Sequence, residues 1–87
     1  MNFSEVTIFN ACSRQTRPHF HEGVDCACCG KNLFPSRGKP IPIVPSDLGG
    51  NRRSENCAIV CEKCFEDLGG FDHPGIIPRN KLPHFKA

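Results

Sequence analysis

Two Cys-x-x-Cys pairs, Cys26 with Cys29 and Cys61 with Cys64, constrain the fold of this chain more than any other feature. A tight turn lets both sulfurs of such a pair point into one tetrahedral site, which suits Zn²⁺. Gly30 follows the first pair directly, as the chain reversal of a zinc knuckle requires. A predicted helix begins at the second pair, and the partial positive charge of a helix N-terminus stabilises thiolates. The sequence therefore predicts one structural Zn²⁺ bound by all four cysteines.

The size and composition of the chain explain why a metal is expected. With 87 residues, 8 Gly, 8 Pro and neither Trp nor Tyr, the chain can bury only a thin core. Domains of this kind usually depend on disulfides, a metal or a partner. The seven cysteines cannot all pair within one chain, and the sequence shows no secretory signal and no membrane span. We therefore expect a cytoplasmic monomer with reduced thiols, without membrane contact, and too small for a deep enzymatic pocket.

The three remaining cysteines leave alternatives open. Cys28 adjoins Cys29, so it is either a free thiol that points away from the metal or a substitute ligand. Cys57 shares a predicted strand with Ile59, where a small buried residue is a simpler interpretation than a ligand. Cys12 is expected to be a lone core or surface residue. A redox-active pair would need a surrounding βαβ fold, which the sequence does not show.

The secondary structure expected around the cysteines is a β-hairpin followed by a short helix. The hairpin strands are residues 41–44, whose proline confines them to a sheet edge, and residues 57–61. Turn-forming residues between them predict a long loop. The helix covers residues 61–68 and ends at Gly69-Gly70, because glycine accepts the left-handed conformation of a helix C-cap.

The chain is divided into three regions on this basis. Residues 1–25 form an N-terminal arm with a short strand around Val6 and Ile8, which alternate with polar residues. Residues 26–70 form the zinc-binding core. Residues 71–87 form an irregular C-terminal extension that is rich in proline. The predicted fold class is thus a small, zinc-stapled α+β domain with irregular arms.

Positive charge is concentrated in the predicted hairpin. The net charge is only +2, but five basic residues and one acid lie between positions 31 and 53. Such a stretch can be a solvated loop, an offset to the negative charge of a four-thiolate zinc site, or a surface that meets phosphates. The candidate contacts to DNA or RNA are Lys31, Arg37, Lys39, Arg52 and Arg53.

The order of these motifs resembles the zinc-containing branch of the HNH endonucleases. The residues that carry the resemblance are Cys26-x-x-Cys29-Gly30, Ile43-Val44-Pro45-Ser46, Gly49-Gly50 and Asn56-x4-Cys61-x-x-Cys64. The resemblance covers residues 26–70 and implies a ββα, treble-clef-like core in which both Cys pairs bind a structural zinc. It also implies that Asn56 tethers the hairpin loop.

The catalytic half of this resemblance is missing. The family places an Asp-His pair, with the His as general base, where this chain has Ile41 and Pro42. Asp67 on the predicted helix is a single carboxylate and does not make a nuclease site alone. His73 lies outside the matched core and would have to fold back to restore hydrolysis. The other three histidines are expected to be exposed or to orient a zinc ligand: His19, His21 and His84.

Three functions are compatible with these observations. The first is a zinc-binding, HNH-like module without nuclease activity that binds nucleic acid through its basic hairpin loop. The second is a divergent, metal-dependent HNH endonuclease with a relocated base. The third is a zinc-stapled module that binds another protein through its arms, where Phe71 and Phe85 are candidate contacts.

Overall fold

The computed structural model describes residues 3–15, 23–34, 38–70 and 73–85, and the fold is given for these residues. They form two α-helices, a two-stranded antiparallel sheet and short 3₁₀ turns. The predicted α+β class is confirmed. The elements are α1 (Glu5–Gln15), β1 (Lys39–Pro42), β2 (Cys57–Val60) and α2 (Glu62–Asp67), with 3₁₀ turns at Ser46–Leu48, Ser54–Asn56 and Arg79–Lys81.

The sheet is the predicted hairpin, with its first strand shifted toward the N-terminus. Lys39 is opposite Val60 and Pro42 is opposite Cys57. β1 therefore begins before the predicted residues 41–44 and ends at Pro42. The N–H of Ile43 still donates to the carbonyl of Asn56 at 3.0 Å. Pro40 and Pro42 have no N–H to donate. β1 can therefore pair with a neighbouring strand on one side only, as an edge strand does.

The N-terminal arm is not a strand, and the prediction around Val6 and Ile8 is wrong. Residues 5–15 form α1. Ser4 caps the helix, since its hydroxyl accepts a hydrogen bond from the N–H of Thr7 at 3.2 Å. The buried positions of α1, Ala11 and Gln15, are four residues apart and so lie on one helical face. Within the described residues, neither α-helix has the length and apolar character needed to cross a membrane.

The core is built around β2, all of whose residues are buried. α1 packs against this strand. The Gln15 side chain, only 2% exposed, forms hydrogen bonds with β2 on the edge away from β1. Its Nε2 donates to the Ile59 carbonyl at 3.0 Å and to the Asp25 carbonyl at 2.9 Å, and its Oε1 accepts from the Ile59 N–H at 2.9 Å. Gln15 thus satisfies the free edge of β2, as a neighbouring strand would.

The C-terminal segment, residues 73–85, packs along the core, and two of its backbone N–H groups donate to the core. The N–H of Ile77 donates to the carbonyl of Ile43 at 3.0 Å, and the N–H of His84 donates to the carbonyl of Ala27 at 2.9 Å. The side chains of Ile77 and Leu82 are buried. This segment therefore completes the core although it has little regular structure.

Candidate metal centre

The first cysteine pair lies on a tight turn between two short extended segments. Asp25 and Asn32 form an isolated antiparallel bridge, so the chain reverses between them. The N–H of Gly30 donates to the carbonyl of Cys26 at 2.9 Å. The backbone N–H groups of Cys28 and Cys29 both point at the Cys26 sulfur, at 3.4 Å. The turn thus places the Sγ atoms of Cys26 and Cys29 on one side of the backbone.

Gly30 is required in this turn for two reasons. Its φ is +79°, a left-handed conformation that other residues adopt only with strain. A Cβ at this position would also lie 2.8 Å from the Nε2 of His84. The imidazole of His84, a residue that is exposed as the sequence predicted, therefore lies directly against the turn.

The second pair lies at the start of α2. Cys61 is the N-cap, and its sulfur accepts a hydrogen bond from the Cys64 N–H at 3.4 Å. The N–H of Cys61 in turn donates to the sulfur of Cys26 at 3.3 Å, which links the two pairs. Because β2 ends one residue earlier, the sheet and the helix together set the position of this pair.

The four predicted ligands come together in one cluster. The Sγ atoms of Cys26, Cys29, Cys61 and Cys64 all lie within 4.8 Å of one another. Four sulfurs bound to Zn²⁺ at ~2.3 Å are separated by about 3.8 Å in a tetrahedron. Only a small contraction separates the cluster from that geometry, so the four cysteines can hold one metal ion.

The ionisation of the thiols differs across the cluster. Burial works against ionisation of Cys26, but the N–H groups of Cys29, Cys61 and Cys28 outweigh it and lower the pKa of Cys26 from 9.0 to about 7. Burial, and after it the neighbouring sulfurs of Cys61 and Cys28, raise the pKa of Cys64. A bound dication stabilises every ionised ligand and so reverses such a rise. The cluster as a whole is thus suited to a cation.

The other cysteines lie outside the cluster of four. Cys28 is half-buried and neighbours the sulfur of Cys64 without being one of the four candidate ligands. Cys57 is fully buried in β2, and this burial raises the pKa of Cys57 to about 12. Cys12 is half-buried on α1 and lies near Cys57. No disulfide joins any of the seven cysteines, all of which are among the described residues.

The basic residues are divided between two places. Lys31 and Lys39 line one cleft of about 300 Å³ together with Phe34, whose side chain is 56% exposed. Arg52 and Arg53 are exposed on the hairpin loop. Arg37, the fifth predicted contact, lies outside the described residues.

The side chain of Asn56 is buried under the hairpin loop. Its Oδ1 accepts from the N–H of Val44 at 2.7 Å. Its Nδ2 donates to the carbonyls of Val44 and Asn51 at 3.0 and 2.8 Å. These three hydrogen bonds join Asn56 to both sides of the hairpin loop.

The residues at the expected catalytic positions are apolar and buried. Ile41 and Pro42 are both among the largest fully buried side chains. His73 does fold back onto this strand, and its Nε2 lies 2.5 Å from the carbonyl oxygen of Pro42. Its Nδ1 lies 2.7 Å from the carbonyl oxygen of Gly75, and the residue is 5% exposed. Both ring nitrogens therefore lie against backbone carbonyl oxygens.

The remaining candidates are divided between the surface and the part not described. Asp67 is exposed on α2, and Phe85 is half-buried against the core. His19, His21 and Phe71 lie outside the described residues.

Comparison of the chain with models of protein families, with curated proteins and with solved structures found no match.

Proposed function

We propose that this chain is a zinc-binding module in which a single Zn²⁺, bound by Cys26, Cys29, Cys61 and Cys64, stabilises the fold. The observation that carries the proposal is the convergence of four sulfurs within 4.8 Å from two separate turns. A donor set of four thiolates favours zinc over the hard cations, and a closed tetrahedral shell leaves no position for substrate. The role is therefore structural.

The expected contribution of the metal is large compared with the stability of so small a domain. Structural zinc contributes about 10–16 kcal/mol of apparent binding free energy in small modules. A domain of 87 residues is typically stable by only about 4–13 kcal/mol. The folded protein is thus expected to depend on its metal.

Elemental analysis and a chelator titration test the proposal. The protein purified from cells is expected to contain one zinc per chain, and removal by a strong chelator should collapse the dispersion of its amide NMR spectrum. Cys64→Ser should bind zinc more weakly, whereas Cys57→Ser, outside the cluster, should retain it. Full dispersion of the metal-free protein would contradict a structural role, and iron in place of zinc would contradict the choice of metal.

The order of knuckle, hairpin and helix also supports the finer proposal of an HNH-like, treble-clef module that is inactive as a nuclease. Ile41 and Pro42 offer no side chain that can accept a proton, and the buried ring of His73 has both nitrogens against backbone carbonyl oxygens, away from solvent. A plasmid-nicking assay with Mg²⁺, Mn²⁺ and Zn²⁺ is expected to show no cleavage. Nicking that His73→Ala or Asp67→Ala abolishes would establish the divergent endonuclease instead.

Nucleic-acid binding is the second proposed function. It is supported by the cleft in which Lys31 and Lys39 accompany the exposed ring of Phe34, since lysines contact phosphates and aromatic rings stack on bases. Glu62 lines the same cleft and opposes this attraction, as does the formal charge of a zinc tetrathiolate. Binding is therefore expected to be weak and to fall steeply with salt.

Fluorescence anisotropy with labelled single strands and duplexes at low salt tests this function. The double substitution Lys31→Ala and Lys39→Ala should weaken binding, whereas Lys63→Ala on the exposed side of α2 should not. Absence of binding at low salt would leave the zinc-stapled protein-interaction module as the remaining proposal.

A further inference from the structure

The four candidate ligands differ in their access to solvent. Cys29 is the exposed residue among them, and Cys61 is half-buried. Cys26 is 0% exposed and Cys64 is 8% exposed. A reagent that approaches the cluster from solvent therefore meets Cys29 first.

Hydrogen bonds add a second difference, because each donor withdraws charge from a sulfur and weakens it as a nucleophile. The Cys26 sulfur accepts three backbone N–H bonds. The sulfur of Cys61 accepts one backbone N–H bond, from Cys64, and that of Cys29 accepts one backbone N–H bond, from Lys31. The more lightly bonded sulfurs are thus the more nucleophilic, and of these Cys29 is the accessible one.

We propose that Cys29 is a modification site, the thiolate that peroxides attack first, and that its oxidation releases the metal. This inference rests on the proposed zinc site. Coordination keeps a ligand sulfur deprotonated, whereas a thiol without a metal is largely protonated near neutral pH. Cys12 and Cys28 are half-buried and not among the four ligands, so Cys29 combines exposure with thiolate character.

The chemistry balances with hydrogen peroxide as the oxidant. The Cys29 thiolate attacks one oxygen of the peroxide. An S–O bond forms, the O–O bond breaks, and hydroxide leaves. The sulfur loses two electrons and becomes a sulfenic acid. The thiolate of another ligand then attacks the Cys29 sulfur, which forms a disulfide and expels the second oxygen as hydroxide. The metal loses two of its four ligands and dissociates.

The test uses the full, zinc-loaded chain, with its zinc content measured first. Less than one equivalent of peroxide is added together with dimedone, which traps sulfenic acids. Peptide mass spectrometry then locates the dimedone adducts. A chromogenic chelator in the same solution reports the zinc that is released. The first adduct is expected on Cys29, with zinc release in parallel. A first adduct on any other cysteine, or modification of Cys29 without zinc release, would overturn the inference. Failure of the protein to hold zinc before peroxide is added would instead overturn the proposed function.

Matched variants give a second measurement. Cys29→His replaces the reactive sulfur with a nitrogen ligand that zinc accepts, and it should slow peroxide-driven zinc release by about tenfold or more. Cys12→Ser, on α1 and outside the cluster of four, is the matched control and should release zinc within about twofold of the wild-type rate. Equal slowing by both substitutions would refute the special role of Cys29. If a variant does not hold zinc, the mapping in the unaltered protein decides.

Discussion

Gln15 is the residue whose replacement most directly tests how α1 is joined to the site. Its side chain makes three hydrogen bonds, two with Ile59 and one with the carbonyl of Asp25, the residue before Cys26. Methionine has nearly the same length and shape but cannot form these bonds. Gln15→Met therefore removes the hydrogen bonds and leaves the volume in place.

The structure sets the size of the effect. The Ile59 carbonyl retains a bond from the N–H of Ala27 at 2.8 Å, but the Ile59 N–H loses its partner in a fully buried residue. An orphaned buried donor costs about 1–3 kcal/mol, and each other lost bond costs about 1 kcal/mol. The substitution removes one bond of the first kind and two of the second, so it should lower the free energy of unfolding by about 3–5 kcal/mol.

Urea unfolding at a fixed excess of zinc measures this difference, because free metal then stabilises every variant to the same extent. Asn10→Met makes a similar exchange at an exposed position of the same helix and should change stability by less than about 0.5 kcal/mol. If Gln15→Met is no less stable than Asn10→Met, Gln15 does not satisfy the edge of β2, and the account of the core is refuted.

Three further results are expected. Asn56→Ala removes three hydrogen bonds beneath the hairpin loop and should lower the free energy of unfolding by about 1–3 kcal/mol. Amide hydrogen exchange in the loop should become faster, and unchanged exchange would contradict the tether. Gly30→Ala should lower the melting temperature more than Gly49→Ala. Both glycines have positive φ, but of the two only Gly30 would bring a Cβ against another residue, His84. Equal losses in melting temperature would contradict that contact. Because burial raises the pKa of Cys57 from 9.0 to about 12, the folded state keeps a proton that the unfolded chain releases, so stability should fall as pH rises through this range. The free energy of unfolding should fall by at most about 1.4 kcal/mol per pH unit. Urea unfolding of Cys57→Ala should show a shallower fall with pH. An identical slope in the two proteins would refute the buried thiol.

The cysteine cluster, the hairpin and α2 could be predicted because their signals are local. Cys-x-x-Cys spacing positions two sulfurs within one turn, and prolines restrict β1 whatever surrounds it. Gly69, at φ +97°, follows α2 as its predicted stop requires. These constraints act over a few residues and need no knowledge of the tertiary structure.

The error at α1 arose from two competing local patterns. Val6 and Ile8 alternate with polar residues as in a strand, but Ser4 offers an N-cap and Ala11 and Gln15 share a helical face. The capping signal was present in the sequence and outweighs the alternation. What selects the helix is the burial of that face on β2, which is a tertiary interaction.

The contacts of His73 and His84 could not be predicted because they join distant parts of the chain. His73 contacts the carbonyl of Pro42 across 31 positions of the chain. His84 reaches the first cysteine turn from the opposite end of the protein. No spacing rule indicates such neighbours, and only the packed core brings them together.

The two anchors of the C-terminal segment bear on the smallest piece of this protein that can fold. A fragment trimmed to residues 26–70 would keep all four ligands, yet it would strip the carbonyls of Ile43 and Ala27 of their donors and uncover the surface that Ile77 and Leu82 occupy. The same fragment would also lack the α1 side chain that covers β2. We therefore expect a peptide that still captures zinc but no longer holds a single conformation.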